Sequence, residues 1–509
     1  MRIPYNCVAT HGDILFASRG GQIQSFKLQG GPALSTWSHP EADREAAASV
    51  ELAKAGSGEI PQAARAESST AEDERPAKRQ RAEPGPEVET SAVPQKGEVG
   101  EKSGQKGKGN KRDDGAHPVS GRNPGSKQPD THVIILLQAS ADGRHIIAVS
   151  GQDKTLWVFE HDGNGTLKES SRRPMPKRPS ALSISPDGRA IVVGDKFGDT
   201  YALPLDAADS LSGETTSLLV KHHRDPNKPT ANEHTVHSKI NLRSLEMQHR
   251  ALERREKDAV KEEPKPEEPA FEHALVLGHV SMLTGLLVRE YRGRRYIITC
   301  DRDEHIRVTR YIPQNYVIES FCLGHKEFIN SMAVSETNPE ILVSGGGDDA
   351  LFVWDWPTGT LLSKTDILSH ARNVSDVQHV AVSKIIYSNV GIFVICEGIP
   401  AVFQWTLSEA RTLNNCRTLR LPGNPLDILV SSSPEPSLLV AIDSVENEVP
   451  SSLLAYAPAD KECTSWARSA TSFDESAIEG SVLEVSTADV KKLFYAIEGL
   501  RKIRIQEEE

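Results

Sequence analysis

His325, Ser344 and Asp348 carry the side chains of a Ser-His-Asp hydrolase triad, in which Ser344 would be the nucleophile and His325 its base. No G-x-S-x-G elbow or oxyanion loop accompanies them. Gly345-Gly346-Gly347 looks like a phosphate-cradling loop, but no Lys-Ser/Thr pair follows it and no helix opens there. His222, His223, His234, His237 and His249 fit no metal-ligand template, and the cysteines at 7, 300, 322, 396, 416 and 463 form no C-x-x-C pair. A glycine-rich strand-to-helix turn of the kind that binds a dinucleotide or S-adenosylmethionine is not found either. These residues lead to the expectation of a chain without catalytic residues, metal or cofactor.

The elements that must position His325, Ser344 and Asp348 recur along the chain. A small-residue turn, an Asp and an alternating apolar strand appear in Ser150–Phe159, again in Thr299–Val308, and most clearly in Ser344–Asp355. Asp303 and Asp348 lie 45 residues apart, and Gly278-His279 and Gly324-His325 precede them by about half that distance. This is the period and the Gly-His…Trp-Asp signature of a WD-repeat blade. In such a blade a loop His, a strand Ser or Thr, a turn Asp and a strand Trp form a buried hydrogen-bonded network. His325, Ser344, Asp348 and Trp354 read as that network, with Asp303 as the turn residue of the preceding blade. An unpaired member would cost about 1–3 kcal/mol, so a structural role competes directly with a catalytic one. Weaker copies at Leu182–Leu203, Ile14–Phe26, Ile392–Trp405 and Leu426–Tyr456 complete seven blades.

The fold expected is an all-β, seven-bladed WD-repeat β-propeller with two long inserts and a C-terminal helix. Residues 1–37 supply the first blade, 131–205 blades two and three, and 273–459 blades four to seven. Between Ser38 and Asp130 there is no Phe, Trp, Tyr, Met or Cys, and 206–272 holds Phe271 as its only aromatic. Such tracts cannot bury enough apolar surface to offset the entropy of ordering, so 38–130 reads as a disordered polar insert. Residues 206–272 read as a charged insert in which 239–261 could form a solvated helix. The tail, 460–509, is expected to carry a helix over Thr487–Ile505, through Val490–Ile497, packed on the outside. No signal peptide is visible, no apolar run approaches the ~20 residues that cross a bilayer, and scattered cysteines fit a reducing compartment. A formal charge of −12 does not suggest a free-standing nucleic-acid binder. The basic clusters Lys78–Arg81 and Lys106–Arg112 read either as nuclear-localisation signals or as solvating charge. The expected location is the nucleus, with the cytoplasm open.

Binding candidates are charges at blade edges. Arg302 precedes Asp303 at a turn, and Arg307 alternates with Ile306 and Val308, which turns it to the other side of its sheet. Lys177 and Arg178 enter the third blade, and Lys196 lies in a turn of that blade. The segments Lys177–Leu182, Val193–Pro204, Tyr296–Val308, Phe321–Phe328 and Leu342–Trp354 resemble the WD-repeat, non-catalytic subunit of eukaryotic tRNA (guanine-N7)-methyltransferase. Thr309-Arg310 stands where a generic blade would continue to Trp-Asp. The resemblance implies a heterodimer. A separate catalytic subunit would bind S-adenosylmethionine and methylate a guanine of tRNA to 7-methylguanosine. The propeller would hold that subunit active and help position tRNA, docking it near Arg302, Arg307, Lys196, Lys177 and Arg178. A generic WD-repeat adaptor, such as a chromatin or ubiquitin-ligase substrate receptor, is the competing reading, since propellers host many functions.

Overall fold

In the computed structural model the described residues are 3–41, 132–207, six positions within 242–250, 271–431, 435–443, 451–474 and 486–502. Both long inserts, their histidines and their basic clusters lie almost wholly outside them. The described strands form seven four-stranded antiparallel sheets and one two-stranded parallel pair. Six of the seven use four strands consecutive in the chain, and in the first the short strand Gly31–Pro32 intervenes before the outer strand. Blade one spans 5–38, blade two 134–174, blade three 179–278, blade four 283–323, blade five 329–366, blade six 382–420 and blade seven 424–468. The chain forms a seven-bladed β-propeller.

Alternation within the strands packs one blade on the next. Ile298, Cys300, Ile306, Val308 and Cys322 of blade four meet Ile329, Met332, Leu342, Phe352, Trp354 and Trp356 of blade five in one buried cluster. Around the axis, small polar residues on the inner strands tie neighbours together. Asn6 Nδ2 donates to Ile134 O (2.6 Å), Ser180 Oγ to Leu283 O (2.6 Å), Thr284 Oγ1 to Ile329 O and Asn330 Nδ2 to Ser383 O (2.9 Å). Each of these bonds satisfies a carbonyl at the start of the next inner strand, where two blades meet away from their own ladders.

Among the described residues no strand is exchanged between the first and last blades. The joint is instead held by Val8 N donating to Asp427 Oδ2 (2.8 Å), by Arg19 Nη2 donating to Ser452 Oγ (3.0 Å), and by a cluster joining Tyr5, Leu15 and Phe26 to Leu439, Leu453 and Phe473. A short parallel pairing of Phe473–Asp474 with Gly31–Pro32 completes it. Gly30 has φ +90°, and an added Cβ would lie 2.6 Å from Ser472 O, so this joint requires glycine there.

Three boundaries differ from those expected. Ala274–Gly278 pairs with Asp199–Pro204 as the outer strand of blade three, so the second insert leaves from inside that blade and does not separate it from blade four. Trp466–Arg468, expected in the tail, is the outer strand of blade seven, where Trp466 Nε1 donates to Gln404 Oε1 (2.9 Å). Both strands are so short that the long segment beside each hides them. The C-terminal helix is confined to Thr487–Phe494, begun by Ser486 Oγ accepting from Asp489 N (3.1 Å). Beyond it the chain runs as a strap over blades seven to four.

Candidate functional site

The residues with the look of a triad are locked inside blade five. His325 Nδ1 faces Asp348 Oδ2 (2.7 Å), His325 Nε2 faces Ser344 Oγ (2.8 Å), and Trp354 Nε1 donates to the same hydroxyl (2.8 Å). The pattern fits a neutral imidazole that donates from Nδ1 and accepts at Nε2. Burial pushes the His325 pKa down, with Asp348 opposing it. Ser344 and Trp354 are fully buried, so no substrate reaches the hydroxyl.

Blade four repeats the arrangement through a different acid. His279 Nδ1 faces Asp301 Oδ2 (3.1 Å) and its Nε2 faces Thr299 Oγ1 (2.8 Å). Asp303, expected in this role, is half-exposed and pairs with Lys502 (3.2 Å). The correction follows from turn length: Asp348 stands four residues after Ser344, whereas blade four reaches its acid two residues after Thr299. The position of Trp354 is taken by Thr309, whose buried hydroxyl has no hydrogen-bond partner among the described residues.

Arg307 occupies the second departure of blade four. It lies opposite Thr299 on one side and Phe321 on the other. The same register in blade five places Phe352 between Ser344 and Lys364, with its ring 3.8 Å from that of His325. Blade five thus has an aromatic inside and a cation outside, and blade four has the reverse. Arg307 Nη1 donates to Gly278 O of blade three (3.1 Å), while its Nε and Nη2 are buried with no partner among the described residues. Loss of solvent holds its pKa below the ordinary arginine range.

The remaining candidates lie on the adjoining turns. Lys177 Nζ sits 4.7 Å from the Phe197 ring centroid, and Phe197 is 63% exposed. Lys196 N donates to Arg178 O (3.2 Å); desolvation first, and the Arg178 charge second, push the Lys196 pKa down. Burial likewise lowers the pKa of Arg178, whose guanidinium packs against blade two near Gly151. The blade-three turn meets the blade-four entry loop where His279 N donates to Gly198 O (2.8 Å). Gly198 has φ +95°, and a Cβ there would lie 2.4 Å from His279 O. Arg302 is held by its own chain, its Nε donating to Leu500 O (2.8 Å). Lys177, Arg178 and Lys196 therefore form one cluster beside Gly278, the contact of Arg307, and Arg302 stands on the next turn.

Sequence reasoning passed over the apolar part of this rim. Val280 is fully exposed, Leu323 is 59% exposed and Phe321 42%. The signal was the alternation around buried Cys322, which turns Phe321 and Leu323 to the same side as Arg307. Phe321 and Leu323, exposed on one side of a strand beside the desolvated Arg307, suit a protein partner better than a small molecule.

Elsewhere, among the described residues, one group has the composition of a metal site: His39, Glu41 and His132. His39 Nε2 faces Asp153 (3.1 Å), His132 Nε2 faces Glu41 (2.9 Å), and Arg172 lies 3.8 Å from both carboxylates. The arginine already supplies the balancing cation, and the group clamps the two ends of the first insert together.

Comparison with known proteins decides among propellers of similar shape. The family described as the tRNA methyltransferase TRM82 WD40 domain matches residues 15–461. The chain belongs to the TRM82 WD-repeat family. A Sclerotinia sclerotiorum TRM82 protein is 36% identical over 89% of this chain and 87% of its own length. One from Aspergillus clavatus is 40% identical over 62% of this chain and 63% of its own, and one from Debaryomyces hansenii 25% identical over 85% and 84%. All three are named tRNA (guanine-N(7)-)-methyltransferase non-catalytic subunits. Like its TRM82 relatives, this chain is a non-catalytic WD-repeat subunit.

Proposed function

We propose that this chain holds the catalytic subunit of a tRNA (guanine-N7)-methyltransferase in its active form, as a heterodimer, and helps place tRNA for 7-methylguanosine formation. The docking surface is the rim of blades three and four. The observation that carries this reading is Arg307, a half-buried guanidinium with two N–H groups lacking a described partner beside exposed Phe321 and Leu323. Both groups are closed to solvent in the isolated chain. On docking the side chain would turn outward, and a carboxylate of the catalytic subunit would then satisfy both in one bidentate contact. S-adenosylmethionine belongs to the partner, and tRNA reaches the propeller through the complex, which accommodates the chain's negative charge. The complex works in the nucleus.

Two measurements test this. Isothermal titration of the isolated chain with S-adenosylmethionine should give no heat of binding, and a stoichiometric micromolar site would overturn the scaffold reading. Methyl transfer to tRNA by the catalytic subunit should rise when this chain is added; an unchanged rate would contradict the activating role.

A further inference from the structure

After its last helix the chain crosses one face of the ring. Tyr495 Oη donates to Asp443 Oδ2 (2.8 Å), and the backbone N–H groups of Ile497 and Glu498 donate to the two oxygens of Glu397 (2.9 and 2.7 Å). Arg501 donates to Gly347 O (2.8 Å) and to Val380 O (3.2 Å). Arg302 Nε donates to Leu500 O, and Lys502 Nζ lies 3.0 Å from Glu304 and 3.2 Å from Asp303. Asp443, Glu397, Gly347 and Arg302 each lie at or just after the end of the second strand of their blade, so residues 495–502 link four consecutive blades.

The strap ends on the turn that carries Arg302. That turn, Asp301-Arg302-Asp303-Glu304, sets three carboxylates around one guanidinium. Asp301 is committed to His279 inside the blade. Asp303 and Glu304 remain, and without a counter-charge they would repel an acidic partner approaching Arg302. Lys502 bridges both of them. The Leu500 carbonyl meanwhile holds Arg302 at its Nε.

We propose that the C-terminal strap is part of the docking surface: Leu500 fixes Arg302 and Lys502 masks Asp303 and Glu304, so that a carboxylate-bearing face of the catalytic subunit meets a cationic rim. This rests on the docking reading above and adds to it an element distant in sequence from blades three and four.

The test measures the affinity of the full-length chain for the catalytic subunit at low and at high salt. Lys502→Ala should weaken binding about three- to tenfold at low salt, with the loss shrinking as salt is raised. Adding Asp303→Asn and Glu304→Gln to Lys502→Ala should restore affinity to about the wild-type value, an outcome that lost packing would not give. Wild-type affinity for Lys502→Ala, in a background where Arg307→Glu abolishes binding, would overturn the strap proposal and leave the docking reading standing. A triple variant as weak as Lys502→Ala would also overturn it. Normal binding by both Lys502→Ala and Arg307→Glu would remove the docking reading itself.

Discussion

Arg307 and Phe321 are direct cross-strand partners in blade four, and they invert the Phe352–Lys364 pair of blade five. In blade five the aromatic ring is buried against His325 and the Lys364 ammonium sits 4.6 Å from its centroid. In blade four the guanidinium is drawn in and the ring is turned out. Neither half of this exchange helps the propeller on its own. A half-buried cation loses solvation, and an exposed Phe321 leaves apolar area in water. A partner that covers Phe321 while pairing Arg307 removes both costs together.

The apolar half of that partnership is tested by Phe321→Ala and Leu323→Ser. Exposed aromatic anchors account for more than 1 kcal/mol in many interfaces, so each substitution should weaken binding of the catalytic subunit about tenfold. Because Leu323 is 59% and Phe321 42% exposed, the thermal midpoint of the isolated chain should fall by no more than a few degrees. Surface plasmon resonance and a thermal melt separate the two effects. A fall in stability with unchanged affinity would make these residues part of the fold.

The His325 network predicts a pH dependence. Burial depresses the folded-state pKa of His325 below its unfolded value of about 6.5. A depressed histidine contributes stability that is complete above the unfolded pKa and is lost as pH falls toward the folded one. Urea midpoints should therefore be level above about pH 6.5 and decline below it. Ser344→Ala strands the Trp354 N–H and one nitrogen of His325, and should cost about 1–3 kcal/mol at neutral pH. A flat profile between about pH 5 and 7 would place the proton linkage elsewhere.

Removing the first insert should leave the ring intact. Residues 45–128 hold no aromatic, Met or Cys side chain. Their two flanks are already fastened, His39 stacking on His132 at 4.5 Å and Glu41 pairing with His132. A short Gly-Ser linker in place of 45–128 should shift the thermal midpoint by no more than a few degrees. A larger fall would show that the insert contributes packing to the propeller.

Most of the ring was legible because the repeat carries its own register. Each strong copy sets a small-residue turn, an acid and an apolar strand in fixed order, and blade five keeps its Trp. What escaped was local geometry that one sequence does not encode. Two acids in Thr299-Cys-Asp-Arg-Asp compete for the turn, and the 3.1 Å contact of His279 with Asp301 selects Asp301. The alternation of Arg307 was readable, whereas its opposition to Phe321 depended on strand register. The strap was not readable, since Arg501 binds the carbonyls of Gly347 and Val380, and a carbonyl leaves no trace in residue type.

The central claim is that the blade-four rim holds the catalytic subunit, and Arg307 tests it most directly. Isothermal titration of the catalytic subunit would compare wild type, Arg307→Glu and a control, Arg189→Glu, at an exposed turn of blade three. Truncating one member of a buried interfacial charge pair costs on the order of 2–5 kcal/mol, roughly a thirtyfold to several-thousandfold loss of affinity. Arg307→Glu should lose at least that much while remaining folded, its midpoint lowered by the lost bond to Gly278 O, and Arg189→Glu should bind normally. Wild-type affinity for folded Arg307→Glu would contradict the claim and reduce Arg307 to a strand residue without a partner.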